Sequence, residues 1–470
     1  MQPLPIGSLI AWLAALLFLT PATSLAAGSC YSAPHSNIGC EFYAVTLPNI
    51  LVDQSTFPFG VNLLNPSSST AVDVTVTGGG LMSPQMLHLA AGGNLTTTLP
   101  WVASLSTSTA TQIVSGGGYH IVSTGPISAL QLNPATVLSG FSQSSSNDAS
   151  LLLPVRSAGT SFRTVAWPTW VAASSPGQLA VVATVASTNV TVTASGSIEP
   201  GAGLTANGGM VTLDAGDVLL VSSALASSAS LSGALIASSA PVIVWSAHAG
   251  TQVPIGVAYA DHLEDTLPPI SALGTDYFIV RPSNPSGAST GAVQYVTIVA
   301  SSDNTTMTYD PPVAAPLTLA VGASATFQAT VDFHLVSSAP VLVGQFMEGG
   351  TTPGFGGNGD PSELIAIPTN QAQRTVTFYA PALFSPIFAQ VIAPTGTALT
   401  IDGTAVTGWT AIGNSGYSAS NYALCCVDVH QATGNQPFTL SVYAYPPGST
   451  SYWYAGASGI GDDIFADGFQ

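Results

Sequence analysis

Ser337-Ser338-Ala339-Pro340-Val341-Leu342-Val343 is the stretch that decides the fold, because the chain repeats it. It returns as Ser238-Ser239-Ala240-Pro241-Val242, as Ser123-Thr124-Gly125-Pro126-Ile127 and, more loosely, as Pro437-Phe438. Proline lacks an N–H, so it heads a strand or sits on an edge, where no ladder bond is lost. The small residues before it supply a tight bend. The motif therefore predicts a proline-led strand that closes a unit. Working outward, a Leu/Ile-Pro step precedes each copy, at Leu47-Pro48, Leu153-Pro154, Leu267-Pro268 and Ile367-Pro368. Between step and closing strand lies a strand-like run: Val74-Thr75-Val76, Val190-Thr191-Val192, Thr306-Met307-Thr308 and Leu399-Thr400-Ile401. The order is constant and the period is roughly a hundred residues, the signature of an internally repeated all-β chain.

Within the third copy, short strands are legible at Tyr277–Val280, Tyr295–Val299, Thr305–Tyr309, Leu317–Leu319, Phe327–Val336 and Val341–Phe346. That spacing suits sandwiches and barrels. Alternation such as Val72, Val74, Val76 against Asp73 and Thr75 marks strands with one wet face. The expected architecture is all-β: four tandem β-sandwich-like units over 41–140, 141–252, 253–350 and 351–454. The alternative is a closed ring or propeller-like arrangement in which the first unit meets the last.

At 470 residues the chain exceeds one hydrophobic core. Apolar residues make up 46%, so there is ample material to bury. Only 6% of residues are charged, and the sole basic side chains are Arg156, Arg163, Arg281 and Arg374. A net charge of -18 repels phosphate backbones and anionic lipid, which argues against a nucleic-acid partner. Leu9 through Leu19 form an apolar stretch too short to span a bilayer, followed by Ser24-Leu25-Ala26-Ala27. Residues 1–27 therefore read as an export signal, although its first residues carry no Lys or Arg. The repeat region follows over 28–454 and a tail over 455–470, and no later stretch is a transmembrane candidate.

Cys30, Cys40, Cys425 and Cys426 remain after cleavage, an even count that reads as disulfides in an exported chain. Either Cys30 joins Cys40 locally, or each reaches the Cys425-Cys426 pair and staples the first unit to the last. The staple is favoured, since adjacent cysteines strain a mutual bond. An acid precedes the Leu/Ile-Pro step at Asp148, Asp261 and Asp360, and two later strands open at Arg163 and Arg374. These suggest repeated structural ion pairs, Asp148 with Arg163 and Asp360 with Arg374.

Signals for chemistry are thin. His248, Asp261, His262 and Glu264 could ligate zinc or shuttle protons, but their spacing matches no tight metal motif. The simpler reading has both imidazoles satisfying backbone groups at a turn. The loop Gly354–Asp360, with Glu348 near it, could offer oxygens to calcium, which takes six to eight. Otherwise no cofactor is expected. Gly287-Ala288-Ser289-Thr290-Gly291 fits a nucleophile elbow only formally, lacking the strand and helix that would expose its serine.

Several motifs together resemble a known family. They are Gly39-Cys40-Glu41-Phe42-Tyr43-Ala44-Val45, Gln131-Leu132-Asn133-Pro134, Asn147-Asp148-Ala149-Ser150-Leu151-Leu152-Leu153-Pro154 and Leu213-Asp214-Ala215-Gly216-Asp217-Val218. Asp261-His262-Leu263-Glu264-Asp265-Thr266-Leu267-Pro268-Pro269 and Ser338-Ala339-Pro340-Val341-Leu342-Val343 complete the set. In this order, across Cys40 to Tyr454, the chain resembles the IgGFc-binding N-terminal region, which also occurs in exported bacterial proteins. The resemblance implies a secreted or surface-exposed binding or adhesive module; the leading reading gives it no catalytic activity and an extracellular protein or glycan as partner. It transfers no binding residues. Unlike many members, the chain has no cysteine between Ala249 and Ala260. The tail Asp463–Phe469 is similar to tails on some exported gammaproteobacterial proteins, which favours a bacterial source. The competing functions are an extracellular hydrolase or lyase with Asp261 and Glu264 as acid and base, and a structural envelope or matrix component.

Overall fold

The computed structural model describes Cys30 and residues 37–460, other than 137, 140, 141, 290, 382, 384, 427 and 447–449. The expected export signal and the Asp463–Phe469 motif lie outside the described residues. Among the described residues, four large antiparallel sheets follow one another, of seven, eight, seven and eight strands. Each is organised on one long spine strand: Tyr119–Asn133, Leu235–Gln252, Phe333–Met347 and Val429–Ala444.

The proline motif lies in the middle of each spine, not at the head of a separate strand. Opposite it, pairing slips: Gly39 faces Ile127 but Glu41 faces Val122, so the residues around Pro126 bulge. The same slip falls between Gly159 and Ser161, Gly274 and Asp276, and Gln373 and Thr375. A bulge asks no ladder bond of the proline, which is why a central strand tolerates it. The small residues hold the bend. Ser123, Ser238 and Ser337 each donate a side-chain hydroxyl to the carbonyl two residues on, at 2.6, 2.7 and 2.7 Å. The next hydroxyl, of Thr124, Ser239 or Ser338, accepts the N–H of Asp73, Asn189 or Thr306 at 2.9 Å. One bend thus serves both the spine and its β-branched neighbour.

Before the bulge, each spine pairs with the first strand of its unit (Gly39–Ala44, Gly159–Arg163, Gly274–Ile279, Gln373–Tyr379). After it, the spine pairs with an axial strand contributed by the following link. These axial strands are Asp148–Leu151, Ala260–Leu267, Glu363–Ile365 and Tyr452–Ala455. The link then places a proline over a glycine of the preceding first strand. A Cβ on Gly39, Gly159 or Gly274 would lie 2.4 Å from the Cβ of Pro154, Pro269 or Pro368. Gly159→Ala is therefore expected to cost about 1–3 kcal/mol through overpacking, read as a lower urea midpoint, whereas an unchanged midpoint would show that the link can slide. The contact also corrects the register of the repeat. Leu47-Pro48 follows its first strand, in the place of Trp167-Pro168, and is not the counterpart of Leu153-Pro154.

The tandem units close into a ring, the alternative arrangement. Asp148–Leu151 packs against both Ala260–Leu267 and Tyr452–Ala455, and Glu363–Ile365 against the same two. The apolar cores straddle the joints. Leu130, Leu132 and Leu151 share one with Val376, Phe378, Tyr452 and Trp453, so the first unit packs on the last. Trp245 and Val244 bring the second unit into the cores of the first and the third respectively. The cysteine staple is not what closes the ring. Cys30 is bonded to Cys40, while Cys425 and Cys426 are free and exposed, their sulfurs 2.7 Å apart. Among the described residues no helix is long and apolar enough to cross a membrane.

Candidate functional site: the buried acidic axis

The four axial strands surround a polar core. Asp148, Asp261, Glu264, Asp360 and Glu363 are all fully buried, and Asp265 nearly so. Alternation fails here because each axial strand is covered on one face by its spine and on the other by its neighbours in the ring.

Asp148 is the hub. Its Oδ1 accepts from Ala149 N–H (2.9 Å), Ser362 Oγ (2.9 Å) and Trp453 N–H (3.4 Å). Its Oδ2 accepts from Glu264 N–H (3.2 Å) and Glu363 N–H (3.4 Å). One carboxyl thus holds backbone donors from all three other axial strands. Burial, reinforced by the Glu264 charge, pushes its pKa well above the usual carboxylate range despite these donors. Burial does the same to Asp265, whose Oδ2 accepts Ile365 N–H at 2.7 Å, and to Glu363, whose Oε2 accepts Ser246 Oγ at 3.0 Å.

The His248, Asp261, His262 and Glu264 group is brought together, but as an internal network. His262 Nδ1 lies 2.9 Å from the His248 carbonyl oxygen, so that nitrogen donates. His262 Nε2 lies 3.1 Å from Glu264 Oε2 and 3.0 Å from Asn133 Nδ2. Glu264 also accepts from Gln131 Nε2 (3.1 Å), Asn133 Nδ2 (3.1 Å) and Ser150 Oγ (2.9 Å). His248 Nε2 meets the Pro168 carbonyl at 3.2 Å, and burial lowers its pKa to about 3, so it is neutral. These imidazoles meet backbone carbonyls, but from within two paired strands and not at a turn. Both side chains of the His262–Glu264 pair are without exposure. Among the described residues no group of three or more His, Cys, Asp or Glu is placed to hold a metal ion.

The expected ion pairs do not form. Asp148 faces the axis, while Arg163 Nη1 donates to the Gly233 carbonyl at 3.0 Å. Arg374 Nη1 donates to the Asn435 carbonyl, and Asp360 is buried away from it. An arginine–carboxylate pair does occur at Arg281 Nε and Asp332 Oδ1, 2.8 Å apart. Asp265, Glu363, Gln131 and Asn133 were not singled out as site residues. Gln131, Asn133 and Asp265 lie within motifs that carry the family resemblance, whereas Glu363 lies in none of them and has only its place shortly before Ile367-Pro368.

A second feature lies outside the axis. Arg163, Ser195, Ser197, Ser230 and Ser232 line a polar cleft of about 160 Å³ that reaches Gly322 of the third unit. Its floor depends on two glycines. A Cβ on Gly233 would meet the Gly322 carbonyl oxygen at 1.9 Å, and one on Gly322 would meet Arg163 Nη1 at 2.9 Å.

A family model described as IgGFc binding protein matches residues 148–444, from the Asp148 hub to the end of the fourth spine. The chain belongs to this family. No curated protein matches this chain. Among solved structures, it aligns with the crystal structure of a tetra-tandem repeat in the extending region of a large adhesion protein. That alignment covers 89% of this chain and 98% of the other at 12% identity, but its TM-score of 0.10 carries no argument.

Proposed function

We propose that this member of the IgGFc-binding family is an exported protein that holds an extracellular protein or glycan without turning it over. The observation that carries this reading is the burial of its best acid–base constellation. His262 and Glu264 could serve general acid–base chemistry only if a substrate reached them, and the ring seals them in. Family membership supports the same reading. Recognition then falls to the outer surface, and the Arg163 cleft is the contact we assign to it. In a chain of net charge -18, an arginine among serine hydroxyls suits a carboxylate-bearing glycan or an acidic loop. Ser195 is exposed at this cleft. Ser195→Trp is expected to weaken ligand capture at least tenfold, measured against immobilised mucin-type glycans and immunoglobulin Fc, with the urea midpoint unchanged. Equal capture by the variant would move recognition elsewhere. Hydrolysis of a polysaccharide or peptide panel by the wild type, lost in His262→Ala, would overturn the non-catalytic reading.

A further inference from the structure

We propose that the mouth of the axis is a calcium site, built from Asp261, Asp360 and Asn147 on three different links of the ring. The side chains of all three are fully buried, and their free atoms lack partners. Both carboxylate oxygens of Asp360, Oδ2 of Asp261, and both Oδ1 and Nδ2 of Asn147 make no hydrogen bond. Buried polar groups are ordinarily paired, and buried charges are paired or bind metal. Three carboxylate oxygens and the Asn147 amide are left without the partners that buried polar groups require.

The surroundings fix the group. Asp261 Oδ1 accepts from Ser146 Oγ (2.6 Å), Asn147 N–H (2.8 Å) and His262 N–H (2.7 Å), which sets Asn147 beside it and leaves Oδ2 free. The segment leading to Asp360 folds over the strand leading to Asp261. Thr351 N–H and Oγ1 both donate to the Ala258 carbonyl, at 2.6 and 2.7 Å. A Cβ on Gly350 would lie 2.7 Å from the Gly359 carbonyl oxygen and 2.9 Å from that of Asn358, so the segment just before Asp360 packs closely on Gly350. The fourth link closes the group, Ser451 Oγ donating to the Asp360 carbonyl at 2.6 Å and the Pro361 carbonyl at 2.9 Å.

Among the described residues no cation is paired with these carboxylates: lysine is absent from the sequence, and Arg156, Arg163, Arg281 and Arg374 donate to Ile38, Gly233, Asp332 and Asn435. The donor set is all oxygen, which selects a hard cation over zinc or copper. Two carboxylates and one amide oxygen leave the remaining calcium positions to carbonyls and water. Because the ligands come from different links, calcium would tie the ring shut.

The test uses the full chain, stripped with chelator and titrated with calcium chloride at pH 7.5 by calorimetry and thermal melting. The expected result is binding of one equivalent and a higher melting temperature. Asp360→Asn should weaken binding at least tenfold and abolish the thermal shift. Asn147→Asp, which adds a carboxylate, should lower the melting temperature in chelator and tighten calcium binding. Should Asp360→Asn fail to fold, the wild type and Asn147→Asp decide the matter. No calcium heat and no thermal shift in the wild type overturns the proposal. So does an Asp360→Asn protein that melts higher than the wild type with or without calcium, since that marks a pair sharing a proton.

Discussion

Asp148→Ala should lose about 4 kcal/mol of stability or more and open the ring. Three backbone groups of the other axial strands donate to this carboxyl, Glu264 N–H, Glu363 N–H and Trp453 N–H, and so does Ser362 Oγ just before one of those strands. Alanine leaves them buried and unpaired, at about 1–3 kcal/mol each. The three backbone bonds are long, between 3.2 and 3.4 Å, so each belongs at the lower end of that range. Removing the carboxyl also removes the cost of burying it, which offsets part of this loss. The orphaned donors win. Typical domains hold about 5–15 kcal/mol in total, so the variant should show a much lower urea midpoint. It should also be cut by protease at the joint between Trp453 and the first unit, where losing the Asp148 carboxyl leaves apolar packing and the Asn94–Asp428 hydrogen bond to close the ring. Asp148→Asn keeps one acceptor oxygen and should fall between. A loss under about 1 kcal/mol for the alanine variant would mean water replaces the carboxyl, and the hub would be unnecessary.

How far the sequence disclosed this arrangement depends on what each signal measures. The proline motif reports a backbone need, and it located all four spines, because a missing N–H and a hydroxyl-capped bend are local properties. It could not show that strand continues on both sides of the bulge, since the slip is visible only against the partner strand. The mistaken counterpart Leu47-Pro48 has a similar origin. Two different prolines per unit flank the first strand, at Pro154 and Pro168 in the second, and a dipeptide match cannot tell which is which. The axis was least legible. Asp148, Asp261 and Asp360 stood out as repeated acids, but ordinary chains bury such residues only with partners, so a surface ion pair was the economical reading. What overrode it was ring closure, a contact between residues about 300 positions apart, as in Trp453 with Asp148. The cysteines misled for the same reason: closure was sought in a covalent link, whereas Tyr452–Ala455 achieves it by packing.

In chelator, stability should fall as pH rises from about 5 to 8, the reverse of a protein held by salt bridges. Burial holds the carboxyls of Asp265 and Glu363 well above their ordinary values, and neighbouring carboxylates add to the effect. The folded chain therefore keeps protons that the unfolded chain releases above about pH 4. The sign follows. Where the native state binds more protons, raising the pH favours unfolding, by about 1.4 kcal/mol per pH unit for each retained proton. The contribution is complete below the unfolded pKa and is lost as pH climbs through the folded one. His248 opposes it. Its folded pKa of about 3 means the unfolded chain gains a proton below about 6.5 that the folded chain refuses, so its contribution is lost as pH falls. Between about pH 5 and 6.5 two carboxyls stand against one imidazole, and above that range nothing in this group opposes them. Repulsion within a chain of net charge -18 acts in the same direction as the carboxyls. Urea midpoints at intervals of pH test this directly, and Glu363→Gln should flatten the slope by about one proton's share. A midpoint that climbs with pH in the wild type would show that the axial carboxyls are ionised when folded. The ring would then have to be held by charge compensation from some other source.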